Sequence, residues 1–393
     1  GEVRASGKLV YLGHGTPREL NGRDIRGNIV LLEFNSGSAW ITAVKLGASA
    51  VVFLEDGATT RFEAMAKVSS APLTTPRLYV MGPEAEELRE LSRLSPSTEI
   101  LNGMRWKEVT GMNIVGEIKG AEDPSKVIII TAHYDSASIV PAISPGADDA
   151  VSVANLLEFI RSLKEQGFSP KYTVWFIATS GHWQALSGAR EFVEKTYFDP
   201  SIGNRIFPYL VIDLELTSGT PHLNLVYSGL FYSIMSNWGY RRLDNIQRLI
   251  RDSLGSFQKS YPGSWAKIGT IPLAGLTGLG YDPANPGYRQ GIGFRNMMDM
   301  EPFQLANSIA LGVVSYDDMR LRFFTPSDTV DFVETENIFP QSQFLGHILL
   351  DILKAPIDGI YSGGWDPIKP SRLGETYSGV GFATLYVLSL IHI

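Results

Sequence analysis

One stretch constrains this chain more than any other: the run Lys126-Val-Ile-Ile-Ile-Thr131 that leads into His133-Tyr-Asp135. Consecutive β-branched residues of this kind form a strand buried on both faces. His133 and Asp135 stand two residues apart, so both side chains leave the strand end on the same side. Pro145-Gly-Ala-Asp148-Asp149 follows, setting two adjacent carboxylates directly before a segment with Val153, Leu156, Leu157 and Ile160 at helical spacing. An imidazole and carboxylates gathered where buried strands end can hold a hard or borderline cation. The same residues also read as a histidine closing a strand and two acids favouring a helix N-terminus. The residues alone leave both readings open.

The pattern repeats downstream. Residues 171–179 form a second apolar run, closed by Ser180-Gly181-His182, after which Ala185, Leu186, Ala189, Phe192 and Val193 mark one helix face. Residues 209–216 form a third, containing Asp213 and Glu215. Helices are expected over 241–254 and 343–354, a loop-rich stretch over 258–295, and a turn over 323–329. Strands alternating with helices predict an α/β fold, with a largely parallel central sheet covered by helices on both faces.

At 393 residues the chain has room for a larger and a smaller domain. Residues 1–104 carry their own strands (28–34 and 49–54) and a short helix (38–46), and predict a smaller α+β domain. The larger domain is expected over 105–356. Residues 357–393 are expected as a C-terminal β extension, the apolar 377–393 being read as a strand or, less well, as a truncated membrane segment. The polar, proline-containing stretch 92–99 is expected to separate the first two domains.

Charge and composition narrow the function. Lys and Arg number 34 against 41 Asp and Glu, which argues against nucleic acid or an anionic membrane as the main partner. With no cysteine, disulfides and thiolate metal sites are excluded. The six histidines are His14, His133, His182, His222, His347 and His392, so imidazole ligands are scarce. No signal peptide is visible, and no Asn-x-Ser/Thr acceptor occurs.

Four motifs in order, His133-Tyr-Asp135-Ser, Pro145-Gly-Ala-Asp-Asp149, Ile212-Asp213-Leu and Thr325-Pro-Ser-Asp-Thr329, give residues 112–353 a resemblance to a known family. They resemble the co-catalytic zinc peptidases that include leucyl aminopeptidases and glutamate carboxypeptidase, and whose non-enzymatic relatives include the transferrin receptor and nicastrin. The segments Arg23-Asp-Ile-Arg-Gly-Asn-Ile-Val-Leu-Leu and Lys45-Leu-Gly-Ala-Ser-Ala-Val-Val-Phe resemble the protease-associated domain that accompanies such enzymes. The family's two zinc ions sit roughly 3.5–4 Å apart. The resemblance implies His133, Asp149 and Asp213 as ligands of one ion, with Asp135 behind the imidazole.

The second half-site departs from the family. Its general base and a glutamate ligand fall on Gly181 and His182, and its last histidine falls on Phe324. His182 is a candidate zinc ligand in place of the glutamate; it reads equally well as a polar residue at a helix start. Glu215 shares a strand face with Asp213 and is a possible substitute base. The expectation is a zinc-peptidase-like protein, holding one zinc ion if any, with lost or severely weakened catalysis. It would bind a peptide, a protein or neighbouring domains of a longer chain, outside the cytoplasm, with membrane association through flanking segments. The alternative is an active zinc aminopeptidase or carboxypeptidase working from one complete site.

Overall fold

A computed structural model describes residues 2–68, 73–103, 107–203, 205–226, 229–231, 244–268, 297–306, 308–316 and 318–360. Two compact units divide the chain. The smaller comprises Gly1–Thr110, Ala137–Pro145 and Leu321–Thr329; the larger comprises Gly111–Ser136, Gly146–Arg320 and Val330–Ile393. The chain therefore enters the smaller unit three times, where the sequence reading has one continuous N-terminal domain.

In the smaller unit, β1 (Glu2–Tyr11), β2 (Ile29–Glu33), β3 (Ala50–Leu54), β4 (Arg77–Val80) and β5 (Ser97–Gly103) form one sheet in the order β4-β3-β2-β1-β5. The first four run parallel, and β5 is antiparallel to β1. The stretch expected as a separator thus holds the end of the helix Gly82–Ser92 and the start of a sheet strand. Its side chains alternate in exposure along β5, as an edge strand allows. Every residue of β2 and β3 is buried, Val30 and Leu32 toward Trp40 and Ala43 of the helix Ala39–Lys45 and Ile29 and Leu31 toward the opposite face. Residues 321–329 complete this unit: Arg61 N donates to Leu321 O at 2.7 Å, and Thr59 N to Ser327 Oγ at 3.2 Å.

The larger unit is built on β6 (Ile114–Ile118), β7 (Asp123–His133), β8 (Tyr172–Thr179), β9 (Phe207–Glu215), β10 (Leu223–Val226) and β11 (Ala310–Ser315), in the order β10-β11-β9-β7-β8-β6. Strands β7, β8, β9 and β11 are parallel; β6 and β10 close the two edges antiparallel. Alternation along β7 sends Ile128 and Ile130 into the core shared with the helices Ala150–Glu165 and Thr335–Lys354, and Val127 and Ile129 into the core shared with Ser187–Tyr197 and Met300–Leu305. Burying each such side chain contributes about 1.5–3 kcal/mol. This is the largely parallel sheet with helices on both faces that the sequence predicts.

Three details differ. The stretch expected as loops from 258 is helical where described, in Asp244–Ser260 and Pro262–Ile268; 269–296 lies outside the described residues. The helix Thr335–Lys354 begins two turns early, running through Pro340. At residue six of a helix, a proline forfeits one backbone hydrogen bond while Phe344, Leu345 and Ile348 are buried beyond it. Finally, Ile357–Ile360 is a short helix, not the start of a β extension: Pro356 precedes it with a φ already suited to a helix start. The rest of the expected extension, 361–393, lies outside the described residues.

Candidate metal centre

Strands β7, β8 and β9 end together, with His133 registered against Thr179 and Thr131 against Asp213. In open α/β sheets the crevice beyond the carboxyl ends of parallel strands is where ligands bind. Into it the strand ends and the following loops send His133, Asp149, His182, Asp213 and Glu215, all buried.

The two imidazoles are stacked, ring centroids 4.1 Å apart and planes 19° from parallel. Glu215 lies against both, with Oε2 3.7 Å from His133 Nε2 and Oε1 3.7 Å from His182 Nδ1. Among the described residues, His133, His182 and Glu215 each offer a ligand atom within 4.8 Å of the others. Glu215, expected as a possible substitute base, thus also stands where it could offer a ligand atom. Asp149 holds the N-cap position of the helix Ala150–Glu165 but makes no side-chain cap hydrogen bond to it. Its neighbour Asp148 is turned elsewhere, accepting from Ser218 N at 2.7 Å. Asp213 accepts from Met300 N at 3.2 Å through Oδ2. Behind His133, Asp135 is present as the resemblance implies, but its backbone carbonyl, 2.8 Å from Nδ1, is nearer than its carboxylate at 3.5 Å.

The electrostatics fit a cation. Asp135 Oδ1, Asp149 Oδ2, Asp213 Oδ1 and Glu215 Oε1 are buried and accept no hydrogen bond. Buried carboxylates without compensation are strongly unfavourable. Burial pushes Asp149 up to about 6, against the pull of His133 and Arg320. Burial, Glu215 and Asp299 push Asp213 well above the carboxylate range. Burial opposes protonation of His133, yet Glu215, Asp135 and Asp149 together raise it well above its ordinary value. The donor set is nitrogen and oxygen only, with two imidazoles, and suits zinc or a similar divalent ion.

Three contributors were not legible in the sequence. Asp299 stands 3.2 Å from His182 Nδ1 through Oδ1, and its other oxygen accepts from Thr179 Oγ1. Burial alone would raise Asp299, but His182, His133 and Thr179 outweigh it and hold the carboxyl below its usual value. Arg320, buried, donates from Nη2 to the Glu215 carbonyl at 3.0 Å and steadies the end of β9.

Among the described residues, the remaining expected positions are not part of the candidate metal group. Gly181 adopts a φ of 69°, and a Cβ there would overlap the Ser187 hydroxyl. Phe324 belongs to the smaller unit, with a φ of 64° and its carbonyl accepting from Ile139 N at 3.1 Å. His14 faces Asn35 O at 3.2 Å in the smaller unit, and His347 pairs with Ser256 Oγ at 2.7 Å between two helices. His222 immediately precedes β10, where its carbonyl accepts from Tyr316 N. His392 is outside the described residues.

A family model described as peptidase family M28 matches residues 113–254. Over those residues the chain is similar to that family. The matched span contains β7, β8 and β9 and every candidate ligand named so far. A probable zinc metalloprotease of Pyrenophora tritici-repentis is 38% identical over 94 residues, covering 23% of this chain and 21% of its own. Transferrin receptor protein 1 of Gallus gallus is 25% identical over 154 residues, covering 38% of this chain and 18% of its own. These alignments span about a fifth of each relative's length. Among solved structures, the γ-secretase component nicastrin matches with a TM-score of 0.60 at 12% identity, over 98% of this chain and 73% of that one. That likeness establishes the fold. The family match supports a zinc-peptidase-like protein. No described helix is long and apolar enough to cross a membrane.

Proposed function

We propose that the M28 domain of this chain is a metal-holding binding or assembly module whose peptidase chemistry is lost or severely weakened. The observation that carries this reading is the turn at Gly181. The family resemblance puts the general base there, but the backbone is left-handed and the Ser187 hydroxyl fills the space where a side chain would begin. Such a base contributes typically 10²–10⁴-fold. On this reading Glu215 does not replace it, because its two oxygens face ring nitrogens of both imidazoles and serve the metal.

His133, His182 and Glu215 would hold one divalent ion, zinc by family, with Asp149 and Asp213 supplying further charge. When bound, such an ion polarises a carbonyl as a Lewis acid. The chain's own residues then orient a peptide or protein group beside that centre, and no side chain occupies the family's base position. The smaller unit, with its parallel sheet and helices, fits a protease-associated-like domain that frames a protein ligand. An extracytoplasmic setting, in a longer chain tethered through flanking segments, follows the similarity to the transferrin receptor.

A second reading, an active zinc aminopeptidase or carboxypeptidase, is favoured by one observation: the charges of Asp149 and Asp213 both reach His133, with Asp135 still behind its ring. Metal content by mass spectrometry, with turnover of aminoacyl and peptidyl reporters in added zinc, separates the two. About one zinc per chain and no turnover agrees with the binding module. Robust turnover that disappears in Asp213→Ala overturns it.

A further inference from the structure

His182 has an unusual neighbour for a buried ring at the end of a strand. Asp299, fully buried, sits immediately before the helix Met300–Leu305 and makes no side-chain cap to it. Its carboxylate is spent elsewhere. Oδ1 lies 3.2 Å from His182 Nδ1, and Oδ2 accepts from Thr179 Oγ1. The three residues come from separate parts of the chain, the end of β8, the turn that follows it and the start of a distant helix. They meet in a fully buried line.

We propose that Asp299 is a positioning residue that fixes His182 as an Nε2 metal ligand, with Thr179 in turn fixing Asp299. An ionised carboxylate accepts, so the proton sits on His182 Nδ1 and the lone pair is left on Nε2. The ring cannot swing, because His133 stacks on one face of it and Trp183 meets it edge-on, with centroids 4.8 Å apart. On the other imidazole the Asp135 carbonyl performs the same task, 2.8 Å from Nδ1. Both rings thereby have Nδ1 held by an outer acceptor, the arrangement that orients ligating histidines. The inference rests on the metal-holding reading proposed above, and it explains how a histidine can work where the family carries a glutamate.

The experiment uses the full chain. Zinc affinity is measured by competition with a chromophoric chelator, and cobalt is substituted to read coordination from its visible spectrum. Asp299→Asn keeps the shape but exchanges an ionised acceptor for an amide. It is expected to weaken zinc binding 10–100-fold and to shift the cobalt spectrum, with the stoichiometry at saturation unchanged. Thr179→Val should act in the same direction with a smaller effect, and it decides the matter if Asp299→Asn does not fold. In a cycle with His182→Ala, the Asp299 effect should vanish, since a positioning residue has nothing left to position. Wild-type affinity in both Asp299→Asn and Thr179→Val, or full additivity in the cycle, overturns the proposal.

Nitrogen-15 NMR of labelled histidine in metal-free protein supplies a readout independent of the metal. His182 should be the Nδ1–H tautomer in the wild type and lose that preference in Asp299→Asn. If the wild type binds no zinc, the metal-holding reading falls, and the tautomer shift still decides whether Asp299 sets the ring. A His182 found as the Nε2–H tautomer overturns the inference outright.

Discussion

Gly181 and Ser187 occupy one space: the hydroxyl of Ser187 stands where a Cβ of residue 181 would be, and Gly181 holds a φ of 69° that L side chains rarely adopt. On the proposed reading, the missing base at this position is a matter of backbone as well as side chain. Gly181→Glu should destabilise the larger unit by about 1–2 kcal/mol from the left-handed conformation alone, read as a lower denaturant midpoint. It should restore no turnover, alone or together with Phe324→His. A Gly181→Glu protein with wild-type stability and new peptidase activity would show that the turn is free to rearrange.

Asp213 should display the conflict between stability and metal binding. Its carboxyl is pushed well up by burial, Glu215 and Asp299, so carrying a charge there costs stability in the metal-free fold. Asp213→Asn removes that charge while leaving an oxygen to accept from Met300 N. The melting temperature of metal-free protein is expected to rise by a few degrees, and the further rise on adding zinc to shrink. A lower metal-free melting temperature would count against the charge argument.

Glu215 is assigned here as a ligand held between two rings. Glu215→Gln should lower zinc affinity by at least tenfold, measured by chelator competition. If affinity is unchanged while Asp149→Ala abolishes binding, the ion belongs instead to the His133, Asp149 and Asp213 set implied by the family resemblance.

The smaller unit carries its own pH signature. Burial and the Glu33 carboxylate push the Tyr11 phenol up to about 12, and its hydroxyl donates to Glu33 Oε1 at 2.5 Å. A group with a raised folded pKa contributes stability that is complete below its unfolded value, about 10. That contribution is lost as pH climbs from 10 toward 12. Unfolding should therefore set in over this window, followed by tyrosinate absorbance and circular dichroism, and Tyr11→Phe should remove that component. An identical alkaline transition in Tyr11→Phe would dismiss the assignment.

What the sequence made legible follows from where the signal is local. The run 126–131 reads as a buried strand, and the acids and histidines sit close to such runs, so His133, Asp149, His182 and Asp213 could be named as candidates; the fold buries all four in the larger unit. Asp299 was not, because Met298-Asp-Met-Glu-Pro302 has no periodicity and reads as an ordinary helix start. Only the tertiary fold brings it to His182. Strand β11 was missed for a related reason. It is buried along its whole length and interrupted by Gly312, where a Cβ would strike the Met298 side chain. Glycine lowers strand propensity in isolation, while close packing against Met298 demands it. Strand β10 is four residues long and supplies too short a pattern to distinguish.

The three-part make-up of the smaller unit has a consequence for how the protein is born. A ribosome completes residues 1–110 early, yet the backbone of Thr59 and Arg61 waits for Ser327 and Leu321, which are synthesised after nearly all of the larger sheet. Closing those contacts spans most of the chain, and such distant pairings are slow to form. During synthesis the smaller unit must persist unfinished: all five strands of its sheet are made, but the partners of Thr59 and Arg61 are not.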